Sequence, residues 1–359
     1  MPSSSPLLAA DAIESPAMRQ AGAGLLSLAL MDARNHTLQL LTLHEQAAAQ
    51  DADEALPSPG TEAEDLFPIP DAQPLWLAGY AGWFAERWIG RNTQRNLGPA
   101  CPVQPMRLAS IQPQADSWWN PRLQTQDGAA TTELPDTEAT RAYLLETLES
   151  TLELLDKAAP DDAALYFYRL ALQHEDLCGE ALVVQAQAQG VPLTIDLPAA
   201  IPPAEAVMLP SAPWTLGLGH AAGSSGFAFD IEQGHQQTLV PEFEIDAHPV
   251  SWAQYVEFVA DGGYDREALW HPAGWVWLQG ADGGQARRAP RYVDRIGAAN
   301  GAVMLTRFGK PMRMAGQQLA MHLSWWEADA WCRWAGRRLP SEAEWEMAAL
   351  HGARQGFRW

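Results

Sequence analysis

Leu172-Gln173-His174-Glu175-Asp176-Leu177-Cys178-Gly179-Glu180 is the stretch from which the first half of the chain can be read. Asp161-Asp162 open a helix ahead of it, and that helix runs to about Gly190. Side chains four apart share a helix face, so His174 and Cys178 project together. Phe167, Leu170, Ala171, Leu177 and Ala181 fall on the same side, which marks it as the face turned to an interior. Working outward, three more helices are expected. Residues 17–50 carry Leu25, Leu26, Leu28, Leu38, Leu40 and Leu41 at near-helical spacing. Pro74 is well placed to start a helix reaching about Asn92, with the stripe Trp76, Tyr80, Trp83, Arg87. Pro135-Asp136-Thr137 open another, with Asp136 or Thr137 as N-cap and an apolar face of Leu144, Leu145, Leu148, Leu152 and Leu155. Four amphipathic helices with one long crossover describe a four-helix bundle over residues 17–200. Residues 1–16 read as a loose N-terminus, 51–73 as an acidic loop, and 93–134 as irregular chain containing Trp118-Trp119.

From about Pro202 the pattern changes. The stretch 237–245 is strand-like, and Gly262-Gly263 and Gly283-Gly284 punctuate loops. Ser324-Trp325-Trp326-Glu327 is a capping box with Gly336 as the stop of its helix. Ser341-Glu342-Ala343-Glu344 is a second capping box after Pro340. Residues 205–359 therefore read as an irregular α+β domain, and the whole chain as an α+β multidomain protein.

Composition supports that reading and narrows the function. A length of 359 residues suits two domains. The net charge of −21 argues against a nucleic-acid binder and against adhesion to an anionic membrane. The charge is uneven: residues 1–200 hold 27 acidic and 10 basic side chains, a net of −17. The apolar run 21–31 is too short to span a bilayer. The first residues lack the basic-then-apolar order of a signal peptide, so a cytoplasmic protein is expected. Cys101, Cys178 and Cys332 are too few and too scattered for a disulfide framework. Of 16 tryptophans, 11 follow residue 213, as a loop-rich domain anchored by large rings would need.

His174 and Cys178 inside a bundle are two potential metal ligands at the right spacing. Taken alone, the pair reads first as a satisfied core histidine beside a small buried thiol, since one such spacing is a weak signal. No phosphate-cradling glycine loop points to a nucleotide.

The sequence 174–180 resembles the His-Glu-x-x-His-x-Glu helix of the ergothioneine-synthase group of non-heme iron enzymes. Pro74-Leu75-Trp76-Leu77-Ala78-Gly79-Tyr80-Ala81-Gly82-Trp83-Phe84 resembles that group's other metal helix. Glu86-Arg87-Trp88-Ile89-Gly90-Arg91-Asn92 and the lead-in 166–172 are most similar to the selenoneine-synthase branch. Phe243-Glu244-Ile245-Asp246-Ala247-His248-Pro249-Val250-Ser251, the stretch 322–330, and above all Gly336-Arg337-Arg338-Leu339-Pro340-Ser341-Glu342-Ala343-Glu344-Trp345-Glu346 resemble a formylglycine-generating-enzyme-like domain. Phe229-Asp230-Ile231-Glu232 matches the group's Phe-Asp-Asn-Glu except at Ile231.

The resemblance implies a DinB-like helical bundle followed by a C-type-lectin-like domain. It implies Fe(II)- and O2-dependent C–S or C–Se bond formation on the imidazole of hercynine (trimethylhistidine), with a thiol or selenol donor as partner. The implied metal set is His174, Cys178 and Tyr80, the last two standing where the group has histidine. The acidic cluster Glu175, Asp176 and Glu180 reads either as support behind the metal, for Glu175 and Glu180, or as the solvated edge of the helix, the reading preferred for Asp176, and Arg87 and Arg91 could meet an acidic co-substrate. Aromatic rings suit a trimethylammonium group. The two replacements also admit a catalytically degenerate member that acts as a small-molecule or protein binding module. Formylglycine generation itself needs a reactive cysteine pair, and the second half has Cys332 alone. Of the other histidines, His36 reads as a capping or packing residue and His44 as solvated. Relative to the group, the second domain reads as cut short at Phe357-Arg358-Trp359.

Overall fold

The computed structural model describes residues 16–51, 73–123, 133–197, 204–217, 226–233, 236–280, 286–297 and 302–354. The loose N-terminus, nearly all of the acidic loop, Gly283-Gly284 and Phe357-Arg358-Trp359 lie outside the described residues. The chain divides into two units, Met1–Leu193 with His220–Asp230, and Thr194–Gly219 with Ile231–Trp359.

In the first unit a short 3-10 turn (Pro16–Gln20) precedes α1 (Ala23–Asp51). Next come α2 (Pro74–Ala85), the short α3 (Ala115–Trp119), α4 (Thr137–Asp156) and α5 (Asp162–Gln189). Each boundary has a local cause. Pro74 occupies the first turn of α2. The Asp136 carboxylate accepts from Ala139 N–H and the Asp161 carboxylate from Ala164 N–H. Gly190, at φ 72°, ends α5 in the left-handed conformation that glycine adopts without a Cβ penalty. Helices α1, α2, α4 and α5 pack on one another around Leu26, Leu30, Ile89, Leu155, Leu165, Tyr168 and Leu172.

Helix α2 is apolar on every side and is correspondingly enclosed; Trp76, Leu77, Ala78, Gly79, Ala81, Gly82 and Trp83 are all buried. Gly79 and Gly82 make that enclosure possible. A Cβ on Gly79 would stand 2.0 Å from Trp119 Nε1, and one on Gly82 would stand 2.7 Å from Leu144 Cδ2. Past Ala85 the helix widens into a single π turn, Glu86–Gly90. There the buried Glu86 accepts from Tyr143 Oη at 2.6 Å, Ser110 Oγ at 2.8 Å and Ile111 N–H at 2.6 Å. Residues 226–229, sequentially beyond the start of the second domain, pack on the first unit: Phe227 N–H donates to Arg19 O at 2.8 Å and its ring meets Tyr166.

The second unit is a mixed α+β structure. Strands β1 (Val207–Leu209) and β4 (Phe243–Ile245) pair antiparallel, as do β2 (Ala212–Leu216) and β3 (Gln236–Val240). A three-stranded antiparallel sheet follows, β5 (Val293–Gly297), β6 (Ala302–Arg307) and β7 (Lys310–Met314). Helices α6 (Trp252–Ala260), α7 (Pro272–Leu278), α8 (Trp325–Trp334) and α9 (Glu342–Arg354) complete it. Its core holds Trp252, Tyr255, Phe258, Trp270, Leu305 and Trp331, so much of the tryptophan surplus is packing. Both capping boxes form, Ser324 with Glu327 and Ser341 with Glu344. Among the described residues no helix is long and apolar enough to cross a membrane.

Candidate functional site

Helices α2 and α5 bring Tyr80, His174 and Cys178 to one place in the first unit. The Tyr80 and His174 rings lie 4.7 Å apart, edge to face at 79°. Cys178 Sγ is 3.9 Å from His174 Nδ1, as four-residue spacing on α5 dictates. Phe84, one turn beyond Tyr80, stacks flat on the imidazole with centroids 3.7 Å apart and planes 5° from parallel. Trp76, one turn before Tyr80, stacks on the phenol ring at 4.7 Å. An aromatic column on α2 therefore holds the imidazole by one face.

Burial sets the protonation of all three polar groups. It pushes His174 down to about 3, so the imidazole is neutral throughout the physiological range. It pushes the Tyr80 phenol up to about 12, with Cys178 adding to the effect and Arg87 opposing it. It pushes the Cys178 thiol up as well, with the Glu175 carboxylate adding to the effect. Phenol and thiol therefore both keep their protons.

The two implied supporting carboxylates lie elsewhere. Glu175 is buried and bound to Arg34 of α1 through Nε–H to Oε1 at 2.5 Å and an Nη2–H to Oε2 at 2.9 Å, and Thr37 Oγ1 donates to Oε1 at 3.2 Å. Arg34 also donates to Leu144 O, which ties α1, α4 and α5 together. Glu175 thus serves a buried ion pair between helices. Glu180 is exposed, since at 100° per residue it turns away from the face that holds Cys178. The same rotation leaves Leu177 41% exposed, so it does not share the interior face expected for it. His36 is exposed, neither cap nor packing residue. His44 is not solvated: it is buried, with Nε2 2.9 Å from Leu182 O, and burial lowers its pKa.

Reading by residue type passed over Phe84 and Arg34. Phe84 could have been found from its four-residue spacing to Tyr80. Arg34 has no local signal, because its partner lies 141 residues away.

Among the described residues no group of three or more His, Cys, Asp and Glu side chains is placed to hold a metal ion. One neutral imidazole, a protonated thiol and a protonated phenol would have to become a two-anion set beside the Glu175 carboxylate. Such a set carries two negative charges where three imidazoles carry none. The residues present do not fit a three-histidine iron centre.

A helical unit with a ligand-like cluster and a C-type-lectin-like second half define the class, and comparison with known proteins agrees. Residues 198–359 match the family described as Sulfatase-modifying factor enzyme 1-like domain. The hercynine oxygenase of Mycolicibacterium smegmatis is 30% identical over 295 residues, covering 79% of this chain and 64% of that protein. That of Mycolicibacterium thermoresistibile is 25% identical over 345 residues, covering 93% of this chain and 69% of that protein. The formylglycine-generating enzyme of Bos taurus is 30% identical over 173 residues, covering 44% of this chain and 43% of that protein. The chain is similar to hercynine oxygenases over most of its length, and its second half matches the sulfatase-modifying-factor enzyme 1-like domain. It spans just under two thirds of the length of the M. smegmatis relative.

Proposed function

We propose that this chain handles hercynine or a close betaine relative in ergothioneine- or selenoneine-type metabolism, and that its helical half, a DinB-like bundle, binds that ligand without an Fe(II) centre. The observation that carries the reading is the convergence of Tyr80, His174 and Cys178 as three neutral groups, with the imidazole of His174 stacked on Phe84. A neutral imidazole, a phenol and a thiol together can donate to and accept from the two ring nitrogens of a second imidazole. The similarity to hercynine oxygenases supports the choice of ligand. The three cysteines are all free, which suits the reducing cytoplasm.

The catalytic alternative is oxidative C–S or C–Se bond formation on hercynine with a thiol or selenol donor. Kinship favours it, and the replacement of histidine by Tyr80 and Cys178 opposes it. Metal analysis of the purified protein together with calorimetric titration of hercynine separates the two. The expected result is saturable hercynine binding with iron well below one equivalent. Iron near one equivalent that is lost in His174→Ala would establish the catalytic alternative, and absence of hercynine binding would overturn both. The double variant Tyr80→His with Cys178→His is expected to acquire Fe(II); a variant that folds and stays metal-free would show that these positions do not form the ancestral site.

A further inference from the structure

Residues 226–229 lie between β2 and β3 in the chain, yet they pack with the helices of the first unit. Their seat is built on backbone groups. Phe227 N–H donates to Arg19 O at 2.8 Å, and Arg19 Nη1–H donates back to Phe227 O at 3.3 Å. Gly226 N–H donates to Asp162 Oδ2 at 3.0 Å, in the first turn of α5. The other oxygen of Asp162 accepts from the buried Arg169 at 2.7 Å. Arg169 also holds Ala21 O, through Nε–H at 3.2 Å and Nη2–H at 3.0 Å. Residue 226 has to be glycine for this approach: its φ is 120°, and a Cβ there would stand 2.8 Å from Arg19 O. So close a fit fixes the Phe227 ring, which is buried.

From that ring a run of aromatic contacts leads to His174. Phe227 meets Tyr166 of α5 at 5.4 Å, and Tyr166 meets Phe167 edge to face at 5.2 Å. Phe167 stacks on Trp88, in the π turn, at 5.4 Å with planes 7° apart. Trp88 meets Phe84 at 6.3 Å, and Phe84 lies flat on the His174 imidazole at 3.7 Å. Two of these joints are parallel stacks, which fix the tilt of a ring as well as its distance. Phe227, Tyr166 and Phe167 are buried, so a displaced ring there has little room to move without pushing its neighbour. Tyr80 meets the imidazole edge to face, which leaves the Phe84 contact to set its plane.

We propose that segment 226–229 is a positioning element for the Tyr80–His174 pocket, with Phe227 as the positioning residue that holds the Phe84–His174 stack through Tyr166, Phe167 and Trp88. Phe227 acts through these intervening rings and meets no ligand itself. That the imidazole receives hercynine rests on the proposed function above; the seating of its ring does not. The motif Phe229-Asp230-Ile231-Glu232 begins in the same segment, and Phe229 stands edge to face with Phe227 at 5.0 Å, which ties the start of that motif to the same seat.

The test follows the His174 ring protons by NMR in protein labelled at histidine, with His174→Gln supplying the assignment. A benzene ring stacked on an imidazole shields its protons, so their positions report the Phe84 contact directly. Gly226→Ala unseats the segment and leaves every ring of the run in the sequence. Its His174 signals are expected to move toward those of an unstacked imidazole. Hercynine is expected to bind that variant about fivefold more weakly or worse, the lower range for coupled sites. Phe227→Leu keeps an apolar side chain and removes the ring, and it takes the place of Gly226→Ala if that variant fails to fold by circular dichroism. Leu155→Ala cuts into the same core from α4 and is expected to lower the unfolding midpoint without moving His174. His174 signals at wild-type positions in the folded variant overturn the proposal. So does an equal movement in Leu155→Ala, which would mark general loosening of the core, and so do moved signals with unchanged hercynine affinity. Moved signals in a protein whose wild type binds no hercynine would sink the proposed function and leave the positioning role standing. Unmoved signals with hercynine binding intact would do the reverse.

Discussion

At the scale of single residues, the candidate site is governed by how closely neighbours can approach. Gly79 is the clearest case. The Trp119 indole is 1% exposed, stacks on Tyr143 at 4.5 Å and lies where a Cβ on residue 79 would stand. It cannot swing aside as a surface side chain would. Gly79→Ala, although it adds a good helix former, is therefore expected to destabilise the first unit by about 1–3 kcal/mol through overpacking. Urea unfolding followed by tryptophan fluorescence measures this, and an unchanged or higher midpoint would refute the packing argument. Tyr80 follows Gly79 on α2, so the same variant should also disturb hercynine binding.

At the scale of elements, helix ends account for much of the local order. At the start of α9 the Glu344 carboxylate is gripped by both terminal nitrogens of Arg338, and its Oε2 also accepts from Ser341 N–H and Oγ. Arg338 first, then the Ser341 bonds, hold Glu344 down at about 2 against burial. A glutamate in the unfolded chain titrates near its ordinary value of 4.5. The depressed folded value means that the carboxylate stabilises α9 above about 4.5, and that this contribution disappears as pH falls toward 2. The thermal midpoint of the second unit should decline over that interval in the wild type. Glu344→Gln should begin lower and lack this component of the decline. Parallel pH curves for the two proteins would contradict the assignment.

At the scale of the whole molecule, the net charge of −21 opposes compactness through self-repulsion. Salt screens charges separated by more than about 8 Å at physiological ionic strength. Raising sodium chloride from about 10 mM to about 150 mM should raise the midpoint of the acidic first unit. A gain of about 1 kcal/mol corresponds to about 2–4 °C for a unit of this size. The second unit, at a net of −4 over residues 201–359, should respond less. A uniform fall in stability with salt would show that close ion pairs such as Arg169–Asp162 outweigh the repulsion.

The long helices of the first unit and the last two of the second were legible in the sequence, because capping and amphipathic periodicity act over three or four residues, whereas the short α3, inside a stretch read as irregular, and α6 and α7 were not. Asp136, Asp161, Gly190, Ser324 and Gly336 all mark the ends that their types indicate. The juxtaposition of His174 with Cys178 was equally local, being one helical turn. Tertiary structure decided what those side chains meet. Phe84 stacking on His174, Arg34 claiming Glu175 and Leu182 O claiming His44 join residues 90, 141 and 138 positions apart, and no local pattern encodes such pairings. Charge was legible as a sum, but not its placement: only packing shows that Asp116 takes a two-pronged bond from Arg91 and lies 3.8 Å from Arg87. Hydrogen bonds within a turn are set by neighbours in the chain, whereas those between helices depend on which faces the fold presses together.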